Sequence, residues 1–119
     1  MNKYWSVYVI ETDKYKQYNW DQITVYVGMT KYSPEERFSQ HKKGINAYKP
    51  RHGKPIQLIK KYCIENIPSE ELANDIERLV WYKLKTSEEY KTVQKYAPPM
   101  QSRDSYLDDY VNYAPKEEE

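Results

Sequence analysis

One cysteine, three glycines, two histidines and one phenylalanine are spread over 119 residues, and each scarcity removes a class of structure. A lone Cys63 forms no intramolecular disulfide, and a thiolate metal site would need several more ligands. It reads as a packing residue. The glycines make no phosphate-cradling loop, and no histidine–cysteine cluster has the spacing of a metal site. Aliphatic residues are sparse and the mean hydropathy is −1.07. No run approaches the roughly 18 apolar residues that cross a bilayer, and the N-terminus lacks a continuous apolar stretch of the secretory type. The expectation is a soluble cytoplasmic protein that does not enter a membrane.

What the chain has instead is tyrosine, 14 residues of it, with three tryptophans. Amphipathic rings of this kind can be half buried, so the core should be small and aromatic. The length fits a single domain. A net charge of +1 conceals an asymmetry. From Gln101 onward six acids face two bases, a net of −4, which leaves +5 on the body of the chain. Lys42, Lys43, Lys49, Arg51, His52, Lys54, Lys60 and Lys61 crowd into the twenty positions from 42 to 61. Such a cluster suits a polyanion, since neutralising phosphate charge drives non-specific nucleic-acid binding; by charge alone it is equally a solvated face.

Trp5–Glu11 and Ile23–Gly28 alternate with period two and read as strands. Val7 and Val9, like Val25 and Val27, share one face, which places Tyr8 and Tyr26 on the other. If the valines face the core, both phenols emerge on the opposite side of the sheet. Thr12 to Gln22, with Tyr15, Tyr18 and Trp20, joins the strands as a long hairpin loop. Ser33-Pro-Glu-Glu36 is a capping box with proline at the first helical position, and Gly44 after Lys42 and Lys43 closes that helix. Arg37 and His41, four apart, project from one of its faces. Ile56, Leu58, Ile59, Tyr62 and Cys63 recur at helical spacing and predict a short amphipathic helix through Asn66. A third helix starts at Pro68-Ser69-Glu70-Glu71 and carries Leu72, Ile76, Leu79, Val80 and Leu84 on one face to about Lys85, with Glu77 at the edge of that stripe. Ala97-Pro-Pro99 then breaks regular structure. The expectation is an α/β domain over residues 1–96, a small mostly antiparallel sheet of two clear strands and room for a short third, flanked by about three helices. Residues 97–119 are expected to be an acidic, partly disordered tail.

In this order the residues resemble the GIY-YIG nuclease domain. Ser6-Val7-Tyr8 stands where that family has Gly-Ile-Tyr, and Tyr26-Val27-Gly28 where it has Tyr-Ile-Gly. Met29-Thr30, then Glu36-Arg37-Phe38-Ser39-Gln40-His41 with Gly44 behind it, follow the family's sequence of elements. Ile59-Lys60-Lys61-Tyr62-Cys63-Ile64-Glu65-Asn66 is similar to a stretch of the homing-type members, and Ala73-Asn-Asp-Ile-Glu77 to the helix that carries the family's metal-binding glutamate. The likeness spans Trp5 to Lys85. It departs in the seventeen positions from Val9 to Val25, which imply an enlarged hairpin, in Ser6 for glycine, and in the little room that Glu65 to Pro68 leaves for a third strand. The asparagine that many members place beyond the glutamate is missing from Glu88–Gln94.

The resemblance implies a metal-dependent endonuclease that hydrolyses DNA phosphodiester bonds. Glu77 would hold one Mg²⁺ or Mn²⁺, with water and phosphate filling the other positions, as magnesium prefers few protein carboxylates. Arg37 would offer its planar fork to phosphate oxygens. Tyr8 and Tyr26 would orient or deprotonate the attacking water, His41 would accept or relay that proton, and Lys31 could lower a phenol's pKa. Lys31, Lys42, Lys43, Lys49, Arg51, Lys54, Lys60 and Lys61 would carry the nucleic acid. Specificity would come from the domain's own loops, a protein partner or a second copy. Small size and high lysine and tyrosine content suggest a phage or mobile-element product.

Taken singly, the same residues have plainer readings. Tyr8 and Tyr26 fit a cross-strand aromatic pair, Arg37 and His41 a solvated helix face, and Glu77 a surface ion pair with Lys61 or Arg78. The alternative function is a catalytically inactive GIY-YIG-like module that binds nucleic acid or inhibits, with the acidic tail laid on the basic surface. A protein-interaction domain with a tyrosine patch is a third.

Overall fold

The two alternating segments pair antiparallel as β1 (Trp5–Thr12) and β2 (Ile23–Thr30) in a computed structural model that describes residues 1–14, 22–44 and 52–98. Val9 faces Val27 and Tyr8 faces Gly28 across the ladder. The four valines are fully buried against Ile76, Leu79, Val80, Trp81 and Leu84. Removing each from water contributes about 1.5–3 kcal/mol. The other face of the sheet bears Tyr8, Ile10 and Tyr26, packed with Cys63, Phe38, Leu58 and Val93. The phenols do lie opposite the valines, but they do not emerge: Tyr8 is 2% and Tyr26 5% exposed.

Two helices cover these faces. On the tyrosine side lies α1 (Pro34–Lys43), which begins as expected: Glu36 N–H donates to Ser33 Oγ and the Ser33 hydroxyl donates to Glu36 Oε1, both at 3.1 Å. It ends at Gly44, whose φ of 78° is cheap only for glycine and whose N–H donates to the Gln40 and His41 carbonyls. On the valine side lies α2 (Glu70–Thr86), capped by Ser69 Oγ, which accepts from Leu72 N–H at 3.1 Å. Neither is long and apolar enough to cross a membrane.

The helix expected over Ile56–Asn66 is absent. Pro55–Leu58 forms β3 and Ile64–Ile67 forms β4, both antiparallel to the same edge of β1, with one 3-10 turn at Lys60–Tyr62 between them. Ile59 N–H donates to Val9 O at 2.8 Å and carries the ladder across the break. The misleading periodicity has a physical source. Ile59, Tyr62 and Cys63 lie at helical intervals because they flank the 3-10 turn, where Tyr62 N–H donates to Ile59 O at 3.2 Å and Cys63 N–H to Lys60 O at 3.0 Å, while Ile56 and Leu58 belong to β3. Cys63 plugs the turn, its thiol donating to Ile59 O at 3.4 Å, and burial pushes its pKa up to about 12. It is the packing residue expected.

A further strand, β5 (Tyr90–Thr92), runs parallel to β2 at Ile23–Val25. The described residues thus hold a five-stranded mixed sheet and two helices, against an expectation of two or three strands and about three helices. Tyr15, Tyr18 and Trp20 of the hairpin, and the tail from Pro99 onward, lie outside the described residues.

Candidate active site

Tyr8 sits at the centre of a polar cluster enclosed between the sheet and α1. Its ring reaches across the strand pair because its partner is Gly28: a Cβ there would stand 2.5 Å from Tyr8 Cζ and 2.9 Å from Tyr26 Cε1. Tyr26, two residues before that glycine, is Tyr8's diagonal neighbour, with ring centroids 6.2 Å apart. The cross-strand aromatic pair therefore exists, and it forms the floor of a larger group. Arg37 and His41, one turn apart on α1, close it from above.

The Tyr8 hydroxyl lies 3.0 Å from His41 Nε2. Burial raises the Tyr8 pKa above its usual 10.0; the hydrogen-bonded Arg37 guanidinium and the Tyr26 hydroxyl oppose that rise, while the charge of Glu77 adds to it. His41, 9% exposed, is held down to about 4 by burial and by Arg37. Its imidazole is therefore neutral near pH 7. A guanidinium can only donate, so Arg37 takes a lone pair of the phenol oxygen. The Tyr26 hydroxyl, which also lowers the Tyr8 pKa, takes the second lone pair, and the Tyr8 O–H is left to donate to a neutral His41 Nε2. Arg37 is itself steadied by donating from Nη1 to Gln40 Oε1 at 3.0 Å.

Glu77 projects from α2 and is 6% exposed. Burial raises its pKa to about 7, opposed by a hydrogen bond from Tyr96 and by the charge of Arg78. Arg78 gives its ion pair to Asp75, at 3.2 Å, rather than to Glu77. The carboxylate acts on Tyr8 through its charge alone; Tyr8, Tyr26, Arg37 and His41 are brought together, and Glu77 stands on the helix that covers the valine face.

The basic residues are more dispersed. Lys42 and Lys43 are exposed at the C-terminal end of α1, the former with its ammonium 5.4 Å from the Phe38 ring centre. Lys54 and Lys60 are exposed, and Lys61 lies over Tyr62 at 5.2 Å. The Lys31 ammonium rests over the Trp5 ring at 5.7 Å, and the cation hydrogen-bonded to the phenol is Arg37. Lys49 and Arg51 lie outside the described residues.

Three participants escaped the sequence reading of the site. His52, read from the sequence only as one of the basic cluster, is 6% exposed and brings its ring to 5.4 Å from that of Tyr26; being one of two histidines, beside Gly53, was its signal. Gln94 Nε2 and the Tyr96 hydroxyl, the latter at 3.2 Å, both donate to Val27 O from beyond β5. Nothing in the local pattern marked them.

Among the described residues no three His, Cys, Asp or Glu side chains gather as a ready metal cage. The donor set nonetheless fits a hard divalent cation held by one carboxylate. Glu77 is enclosed, its charge is poorly compensated by protein cations, and Mg²⁺ characteristically keeps several waters on one or two carboxylates.

A family model described as the GIY-YIG catalytic domain matches residues 4–97. No curated protein and no solved structure matches the chain significantly.

Proposed function

The chain belongs to the GIY-YIG nuclease superfamily, and from that premise we propose that it is a metal-dependent endonuclease hydrolysing DNA phosphodiester bonds. The observation that carries this reading is the Tyr8 hydroxyl, which meets Arg37, Tyr26 and neutral His41 while sensing the charge of Glu77.

In this mechanism Glu77 would hold a single Mg²⁺ or Mn²⁺. When bound, that ion supplies Lewis-acid polarisation of the phosphate and offsets charge on the leaving oxygen. Arg37 presents guanidinium N–H groups to the non-bridging oxygens, where charge accumulates in the transition state. Tyr8 and Tyr26 hold the attacking water. Tyr8 takes a proton from that water as its own phenolic proton passes to His41 Nε2; the hydroxide so formed bonds to phosphorus as the P–O bond to the sugar breaks, and the leaving sugar oxygen takes its proton from solvent water. The resulting imidazolium is unfavourable beside Arg37, and the incoming phosphate charge offsets this repulsion. Lys42, Lys43, Lys54, Lys60 and Lys61 supply the sequence-independent attraction to the backbone. A single centre cuts one strand per encounter, so a double-strand break calls for a second copy or a second visit.

The test is conversion of supercoiled plasmid to nicked or linear forms in Mg²⁺ or Mn²⁺. Wild-type protein should convert it and Glu77→Ala should not. A wild-type protein inert across a range of divalent metals overturns the reading. The enclosure of Glu77 beneath Tyr96 favours the second reading, a module that binds nucleic acid without cutting; gel shifts retained in the absence of any cleavage would select it.

A further inference from the structure

Beyond β5 the chain follows the outer edge of β2. Val93 N–H donates to Val25 O at 3.1 Å, which extends the parallel ladder by one bond. Two residues further along β2, side chains replace the backbone, and Val27 O receives both Gln94 Nε2 and the Tyr96 hydroxyl. The segment is fastened from the other side by Trp81. Its Nε1 donates to Gln94 O at 3.0 Å, and its ring meets that of Tyr96 edge-on, at 5.7 Å and 82°. Trp81 stands four residues after Glu77 on α2, so the two occupy one face of the helix. The ring that Trp81 holds is the one whose hydroxyl hydrogen-bonds the Glu77 carboxylate.

A phenol has one proton and lone pairs to accept with. Val27 O, 3.2 Å away, and an ionised Glu77 therefore compete for the single Tyr96 proton, and Gln94 gives the carbonyl a second donor that remains when the phenol turns to the carboxylate. We propose that Tyr96 is the positioning residue for Glu77, its hydroxyl turning from Val27 O to fix the ionised carboxylate in one orientation for a divalent cation while Gln94 keeps a donor on Val27 O. The role is the one that outer-shell donors play in metal proteins, where a ligating carboxylate is itself hydrogen-bonded. The proposal rests on the endonuclease reading above, which makes Glu77 the cation ligand.

Mn²⁺ binding to the full chain, followed by the electron paramagnetic resonance signal of the free ion, tests it without DNA or turnover. Tyr96→Phe keeps the ring against Trp81 and removes only the hydroxyl. It should weaken Mn²⁺ about tenfold with little change in melting temperature, and cleavage should recover as Mn²⁺ is raised while the KM for DNA stays constant. Gln94→Leu should weaken binding in the same direction by less, because the phenol proton is then drawn to Val27 O. Glu77→Ala separates the two levels of argument. Should that variant bind Mn²⁺ as wild type does, the cation reading of Glu77 fails and the positioning role falls with it. If Glu77→Ala loses the ion while Tyr96→Phe binds it with wild-type affinity, the ligand assignment stands and the positioning role of Tyr96 is refuted.

Discussion

The Tyr8 hydroxyl and His41 Nε2 lie 3.0 Å apart although 33 positions separate them in the chain. That bond joins the central strand to the helix above it and sets a proton acceptor against the phenol. His41→Ala should reduce plasmid cleavage by about 10²–10⁴-fold, the usual worth of a positioned general base, with gel-shift affinity for DNA within a few fold of wild type. A variant that cleaves normally would assign His41 to packing alone.

Gly28 should tolerate no side chain, for a reason unrelated to backbone strain. The space a Cβ would take is already filled by the Tyr8 phenol, with Tyr26 close beside it. Gly28→Ala forces the phenol away from Arg37 and His41 and should lower stability by about 1–3 kcal/mol, as overpacking does. Chemical denaturation measures the loss and a plasmid assay the accompanying fall in cleavage. A gain in stability, which alanine would bring at an unconstrained strand position, would contradict the packing argument.

The parts of the fold legible in the sequence are those where a local rule decides the structure. Val7, Val9, Val25 and Val27 alternate with Tyr8 and Tyr26 because a sheet covered on both faces puts consecutive residues in different layers. Ser33 and Gly44 mark the ends of α1 through hydrogen bonds that span three or four residues. Where geometry depends on a distant partner, the pattern misleads or is silent. Ile59, Tyr62 and Cys63 imitate a helix because one 3-10 turn, set between two strands that pair with β1, gives them its three- and four-residue spacing. Tyr90–Thr92 is too short and polar to announce a strand. It pairs with β2 and is held by Gln22, whose Nε2 donates to Glu88 O and Tyr90 O. Of the candidate site, Tyr8, Tyr26, Arg37, His41 and Glu77 form an ordered set only through the family resemblance, whereas Gln94 and Tyr96 join through contacts across 67 and 69 positions. No periodicity encodes such contacts.

Arg37 acts on two neighbours at once, hydrogen-bonding Tyr8 and depressing His41. Arg37→Lys keeps the charge and loses the planar fork, so cleavage should fall on the order of 100-fold, comparable to removing one transition-state donor. Arg37→Gln removes the charge as well. In that variant the His41 pKa should rise from about 4, remaining below its ordinary value because burial is the larger cause, and a proton NMR titration reads the change directly. An unmoved titration would place Arg37 too far from the imidazole to matter.

Glu77 and His41 should tilt the stability of the metal-free protein in opposite directions across one pH range. Glu77 has its folded pKa raised from 4.5 to about 7. The unfolded chain therefore releases its proton first, and the stability this group contributes is full below pH 4.5 and lost as pH rises through 7. His41 has its folded pKa lowered from 6.5 to about 4. Its contribution is full above pH 6.5 and lost as pH falls through 4. Between pH 5 and 6.5 the two slopes largely cancel. Glu77→Gln removes the falling limb, so relative to wild type it should gain stability steadily from pH 5 to 7, reaching about 3 kcal/mol at most, with no gain below pH 4.5. Urea denaturation in a chelating buffer at half-unit steps of pH measures the difference. A gain independent of pH would mean that the buried carboxyl does not titrate in this range, and a loss at pH 8 would mean that its ionised form is stabilised by the fold rather than strained within it.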